Sequence, residues 1–356
     1  MSVSVRAIEL NTSPHFKAAT STDAIMLNVV YALIPVCAFA VFTFGLSAFL
    51  LILTAPLACV LTEHFFCRIA GKESTVGDYS ALITGILLAL TLPPSLPLWM
   101  AAVGGFVSIA LGKTLFGGLG QNPFNPALVG RAFLQAAFPV AITTWSPALW
   151  PSVWSTDRFS HVLLPTLSLP FMKAETAAGY IHPLSVDGFS GATPLTMMKF
   201  EHVNTSFSSL FFGMTPGSTG ETSAFLILLC GAYLMYRKMM DWRIPVGVIS
   251  SAFLLSALFY ALAPDKYPPP FFTLCSGGMM LGAVFMASDM VGSPFTPRGV
   301  WIYATLIGAV TVTIRVLGGL PEGIMYAILL GNAMTPLINL YTQPRVYGTH
   351  RELRNK

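Results

Sequence analysis

The sequence predicts an all-α, polytopic membrane protein with about ten transmembrane helices in two inverted five-helix halves. Apolar residues make up 54% of the 356-residue chain and charged residues only 10%, whereas a soluble domain carries about 25% charged. Mean hydropathy is +0.69, so most of the surface is suited to lipid. The apolar residues are also gathered into runs of bilayer-crossing length, which takes roughly 20 residues per helix. A net charge of +4 that is nowhere gathered into a basic groove excludes a nucleic-acid partner.

The first twenty residues, MSVSVRAIELNTSPHFKAAT, lack the apolar core of a signal peptide, so the run starting near Ala24 is expected to remain as a membrane anchor. Ten runs qualify as spans: 24–43, 46–67, 79–94, 97–114, 126–145, 223–240, 244–262, 271–289, 299–318 and 323–341. Their short connections fit an antiparallel bundle, apart from the long Pro-, Ser-, Thr- and Trp-containing stretch 146–222. With a cytoplasmic N-terminus, fourteen of the nineteen Lys and Arg, Lys113 and Arg131 among them, fall on the cytoplasmic side. Arg158, Lys173, Lys199 and Lys266 fall outside, and Arg315 within a span. The chain then divides into a first five-helix half (1–145), an outward loop (146–222) and a second half (223–356), with both termini cytoplasmic.

Five spans on each side of the loop would give the halves opposite orientations. Two internal likenesses support a repeat. The segment from Gly85, GILLALTLPPSLPLW, and that from Gly282, GAVFMASDMVGSPFTPRGVW, each run from a small-residue helix through a Pro-containing turn to a Trp. NPFNPAL (Asn122 to Leu128) likewise resembles GNAMTPLIN (Gly331 to Asn339).

Motifs of soluble enzymes fail on inspection. Gly112-Lys113-Thr114 has Val107 where a phosphate loop needs Gly, and the six histidines show no HExxH spacing. Cys37, Cys59, Cys67, Cys230 and Cys275 form no CxxC pair and lie in or beside apolar runs, which reads as core thiols and neither a metal cluster nor a disulfide framework. No catalytic side chain and no metal site is therefore expected. The outward loop carries Asp187-Gly188-Phe189-Ser190-Gly191-Ala192-Thr193-Pro194-Leu195. Its small residues leave a slim backbone, so a phosphate can approach the amides and the Thr193 hydroxyl. Asp187 is suited to bind a metal or to orient a modifying enzyme; a plain small-residue turn is the alternative. Asp78, Asp289 and Glu322 stand at span ends, where a carboxylate is costly enough to suggest function, although nearby water and helix N-termini also accommodate one. Glu63, His64 and Arg315 lie deeper and are expected to pair with one another or to snorkel.

Taken in chain order, GILLALTLPPSLPLW, GGLGQNPFNPALVGRAF, DGFSGATPL, PGSTGETSA and FMASDMVGSPFTPRGVWIYATLIG resemble the NqrB/RnfD family. These are membrane subunits of the sodium-pumping NADH:quinone reductase and of the Rnf ferredoxin:NAD oxidoreductase. The resemblance runs from about Asn28 to Arg345. It implies FMN joined through a phosphodiester to Thr193, with Asp187, Ser190, Gly191 and Ala192 forming the acceptor stretch. It implies a non-covalent riboflavin at Asn122 and Asn125, whose amides can bond both donor and acceptor edges of an isoalloxazine ring. It also implies a path for Na⁺ or H⁺ past Asp78, Asp289 and Glu322, and a place in the bacterial inner membrane. Expected partners are Rnf subunits A, B, C, E and G, with ferredoxin and NAD reached through them. A short N-terminal tail, and Asn339 where the NqrB branch carries an acid, favour the Rnf branch. The alternatives are an NqrB-type subunit and an inverted-repeat channel or transporter without a cofactor.

Overall fold

The computed structural model describes residues 21–72, 74–145, 166–170, 193–201, 205–213, 215–221, 223–264 and 266–344. All regular structure among them is helical. The first half holds α1 (Thr22–Phe44), α2 (Leu46–Ile69), α3 (Ser80–Thr91), α4 (Leu98–Gly112) and α5 (Pro126–Ala137). The second holds α6 (Ala224–Tyr236), α7 (Arg243–Leu262), α8 (Pro270–Cys275), α9 (Pro297–Leu317) and α10 (Ile324–Thr342). Ser21 opens α1 by accepting the Ala24 amide on its hydroxyl, and Gly45, at φ +73°, makes the reversal into α2.

Six helices are long and apolar enough to cross a membrane: α1, α2, α4 with its extension to Phe116, α7, α9 and α10. This is a polytopic membrane protein. The other four expected spans are shortened. The helices α3, α5 and α6 have 12, 12 and 13 residues. The eighth run breaks into α8, a turn at Met279–Leu281 and a π-helical turn at Gly282–Met286. The breaks have local causes that a hydropathy sum does not register. Pro93 and Pro94 follow α3, Pro139 follows α5, and Gly277 sits at φ +63° between the pieces of the eighth run.

Short and long helices occupy different surroundings. Every residue of α3 from Thr84 to Thr91 is buried. By contrast α2 exposes Phe49, Leu53, Leu57, Leu61 and Phe65, one every four residues, as an apolar stripe directed away from the bundle. Helix neighbours recur between the halves. As α2 packs on α3 and α4, and α4 on α5, so α7 packs on α8 and α9, and α9 on α10. The halves meet where α1 packs on α6 and α5 on α10. The likeness of NPFNPAL to GNAMTPLIN does not carry over: Asn125 starts α5, whereas Gly331–Asn339 lies inside α10.

Close approach depends on small residues, as expected of helices that share lipid as solvent. A Cβ on Gly85 of α3 would lie 2.2 Å from the Pro56 Cα of α2. Backbone cannot move aside as a side-chain tip can, so Gly85→Ala should destabilise the protein by about 1–3 kcal/mol. Gly77, where a Cβ would meet nothing within 4 Å, supplies the control: thermal unfolding in detergent should show a lowered Tm for Gly85→Ala and none for Gly77→Ala.

Candidate cofactor sites at the two ends of the short helices

A cavity of about 110 Å³ opens where α1, α3 and α5 begin and α4 and α6 end. Met26, Leu87, Met239, Met240 and Phe285 form its apolar walls, and Ser80, Lys113, Asn122, Asn125, Ser288 and Asp289 its polar ones. The two asparagines do different work. Asn125 caps α5: its Oδ1 accepts the Ala127 and Leu128 amides at 3.0 and 3.4 Å, with Pro126 preset for the first turn. Its Nδ2 donates to the Met286 carbonyl at 3.2 Å, tying α5 to the second half. Asn122 donates to the Phe124 carbonyl at 3.2 Å, yet its Oδ1 is buried without a partner, and the residue is only 3% exposed. A buried acceptor left unpaired costs about 1–3 kcal/mol, which a ligand N–H would recover.

Lys113 is the surprise of this cavity. It is buried, with Nζ 2.6 Å from Glu63 Oε1, 2.6 Å from Ser80 Oγ and 3.9 Å from Asp78 Oδ2. Ser80 Oγ in turn donates to Asp78 Oδ1, which also accepts the Ser80 amide at the start of α3, and Thr75 donates to Glu63. Glu63 therefore pairs with Lys113, and neither with His64 nor with Arg315. Asp289 lines the same cavity and accepts the Val291 amide at 3.2 Å; no ion pair among the described residues includes it.

Thr193 lies at the other end of the short helices. It is half-buried and caps the turn Pro194–Thr196, accepting the Thr196 amide at 3.2 Å with the Thr196 hydroxyl 2.6 Å away. It lines a cavity of about 30 Å³ with Leu210, Thr215, Glu221, Cys275, Gly277 and Glu322. A larger one of about 460 Å³, bounded by Arg131, Gln135, Trp145, Thr196, Phe200 and Glu322, shares Trp145 and Glu322 with it. Asp187, Ser190, Gly191 and Ala192 lie outside the described residues.

Four ionisable side chains stand beside these two cavities. Arg131 Nη2 lies 2.5 Å from Glu322 Oε2, and its Nη1 reaches the Thr91 carbonyl at 2.6 Å and Glu221 Oε1 at 3.5 Å. Glu322 Oε1 accepts the Gly278 amide at 2.8 Å, and Arg315 donates to the Thr273 and Ser276 carbonyls at 2.6 and 3.1 Å. In the loop before α6, burial and then the neighbouring Glu322 push the Glu221 carboxyl up to about 8. Burial acts on Glu322 too, but Arg131 holds it below the usual carboxylate range.

The two sites are separated by α6, with Glu221 just before its start and Leu234 of the first cavity near its end. Thirteen residues at 1.5 Å each span about 20 Å.

Comparison with known proteins matches residues 9–348 to the NQR2, RnfD, RnfE family. The chain belongs to this family. Among its relatives, the D subunit of a proton-translocating ferredoxin:NAD(+) oxidoreductase complex from Clostridium ljungdahlii is 40% identical over 342 residues, covering 96% of each chain. The D subunit of a Na(+)-translocating ferredoxin:NAD(+) oxidoreductase complex from Acetobacterium woodii is 38% identical, covering 96% of this chain and 95% of its own. The D subunit of an ion-translocating oxidoreductase complex from Alcanivorax borkumensis is 36% identical, covering 95% and 96%.

For this family member, Asn122, Asn125 and Asp289 meet in one cavity, Thr193 and Glu322 meet in another, and Asp78 stands behind Lys113. Lys113, Arg131 and Glu221 did not emerge from the sequence as site residues. The charge count puts the first two on one, cytoplasmic, side, whereas the structure buries Lys113 at the Asn122 end and Arg131 at the Thr193 end, each paired with a carboxylate distant in sequence.

Removing Arg131 would strand two carboxylates and the end of α3. Arg131→Met should therefore cost about 3–5 kcal/mol, read as a lowered Tm in detergent, and Arg131→Met combined with Glu322→Gln should recover part of that loss.

Proposed function

We propose that this chain is the membrane-embedded, electron-carrying subunit of an ion-translocating ferredoxin:NAD oxidoreductase complex, with FMN esterified to Thr193 and riboflavin held non-covalently at Asn122. The observation that carries the proposal is the pair of cavities at opposite ends of α6, one with the Thr193 hydroxyl on its wall and the other with the unpaired Asn122 oxygen. Once bound, the two flavins would supply the redox chemistry; the protein holds them and separates them.

The residues present fit both groups. Thr193 offers a hydroxyl on an extended segment, and the adjacent Thr196 hydroxyl is placed to donate to a phosphodiester oxygen. Asp187, Ser190, Gly191 and Ala192 would form the stretch that a flavin transferase reads. Asn122 Oδ1 would accept from the ring imide, and Asn125 would act as the cap that holds this loop in place. The relatives' names place them in complexes of this kind, which supports partnership with subunits A, B, C, E and G and, through those, with ferredoxin and NAD.

In this proposal both termini face the cytoplasm of a bacterial inner membrane, the 146–222 loop faces outward, and the halves are inverted. The recurring helix neighbours support that arrangement. Asp78, Asp289 and Glu322 remain candidates for a Na⁺ or H⁺ path; relatives named for each ion leave both in play.

Covalent attachment is tested on protein made with its complex and a flavin transferase. The wild type should give a fluorescent band on a denaturing gel, Thr193→Ala should give none, and the peptide spanning 174–199 should carry the mass of FMN less water. A fluorescent Thr193→Ala band removes the assignment, and a wild type without either flavin makes a cofactor-free channel or transporter the better account. The inner site is tested separately. Asn122→Leu should lose flavin released by denaturation while keeping the covalent band, whereas Asn125→Leu should lower Tm through loss of a helix cap worth about 0.5–2 kcal/mol.

A further inference from the structure

We infer that Lys199 is a positioning residue: it docks the segment bearing Thr193 on the end of α9, so that the outer flavin works from a fixed place and not from a free tether. This inference rests on the flavin reading of Thr193 and adds what holds that group in position.

The chain from Thr193 onward is one helical unit. Thr193 accepts the Thr196 amide on its hydroxyl and the Met197 amide on its carbonyl. The turn Pro194–Thr196 then runs directly into a π-helical turn at Met197–Glu201. Lys199 stands six residues after Thr193 in this unit, so the anchor of its side chain sets where the Thr193 hydroxyl lies. Leu195 and Met198 rest the unit on the core. Apolar contact of that kind is non-directional and does not by itself stop the unit from sliding.

Lys199 supplies the direction. Its Nζ donates to the carbonyls of Arg315 at 3.1 Å, Gly318 at 2.6 Å and Leu320 at 2.8 Å. An ammonium has three N–H donors, and three carbonyls take them all. The Arg315 carbonyl is among the last four of α9, which lack partners within the helix, and a helix C-terminus favours a cation. Among the described residues no carboxylate pairs with Lys199.

These carbonyls lie on the chain that forms the opposite wall of the outer cavities. Thr193, Leu195 and Thr196 line the cavities from the Lys199 unit; Leu320, Pro321 and Glu322 line them from the chain that leaves α9. Lys199 therefore ties the two walls together, and Glu322, two residues past Leu320, is tied in turn to Arg131 on α5. A hydroxyl held this way keeps a constant distance from the buried helices, as suits a carrier that exchanges electrons with a second site across the bundle.

The test uses the full-length chain, flavinylated at Thr193 and freed of non-covalent flavin, and follows the time-resolved fluorescence anisotropy of the covalent group. Wild type should decay with the tumbling of the whole detergent particle. Lys199→Met should gain a nanosecond component severalfold larger in amplitude, the timescale of a loosened loop. Lys199→Arg, which retains charge and donors, should stay near wild type, and all three should give equal covalent bands on a denaturing gel. In the assembled complex, Lys199→Met should lower kcat for NAD reduction by ferredoxin severalfold and leave KM for ferredoxin unchanged. A dominant nanosecond component in wild type, which needs no variant to fold, overturns the inference. So does a Lys199→Met protein whose Tm falls while its anisotropy decay and kcat match wild type, since that marks a helix cap and nothing more. A wild type without covalent flavin removes the reading of Thr193 itself, and this inference with it.

Discussion

The contact between Arg131 and the carbonyl of Thr91 is the point on which the architecture turns. A helix that stops inside a membrane protein leaves several carbonyls without partners, and hydrocarbon offers them none. At the end of α3 the protein supplies them all: Arg131 for Thr91, the Gly220 amide for Leu90, and both the amide and hydroxyl of Thr219 for Leu92. The break in the eighth run is closed by the same means. Arg315 binds carbonyls at the end of α8, and Glu322 receives the Gly278 amide where the chain turns helical again. Because Glu322 also pairs with Arg131, both breaks are held by one charge cluster. Buried charges are expensive unless paired; Arg131 and Glu322 pair with each other while each also satisfies backbone at a helix break.

Short helices have a further consequence: they leave unfilled space at both ends of the bundle. The ends differ in character. At the Thr193 end two arginines stand with two glutamates, of which Glu322 is held below the usual carboxylate range and Glu221 is pushed up to about 8. At the Asn122 end the charged lining residues are Lys113 and Asp289, with Glu63 paired to Lys113 and Asp78 beside it.

Much of this was legible in one dimension. The long apolar runs marked the complete helices to within a few residues, and the ordered motifs identified the family. What hydropathy misjudged was completeness. A run such as 79–94 scores as a span because Pro93 and Pro94 are not strongly polar, yet they end the helix at Thr91. The roles of Lys113 and Arg131 were hidden for another reason. Their partners lie 50 residues away at Glu63 and 191 away at Glu322, so no local pattern distinguishes them from unpaired charges on apolar segments. Asn122 and Asn125 stand in one cavity, but their division of labour needs the backbone. Only a turn that places Asn125 at the helix start consumes its oxygen and leaves that of Asn122 free.

The internal repeat takes on meaning at the places where it fails. Helix order and neighbours recur from one half to the other, and the matched helices α1 and α6, and α5 and α10, pack on each other. Strict symmetry would make α5 as long as α10 and α6 as long as α1, filling the bundle from end to end. Instead α5 has 12 residues against 19, and α6 has 13 against 23. Arg131 lies on α5, Asn125 caps it, and Glu221 immediately precedes α6. The repeat therefore provides a packed frame of small-residue contacts, and the two cavities arise where one copy of each matched pair has been cut short.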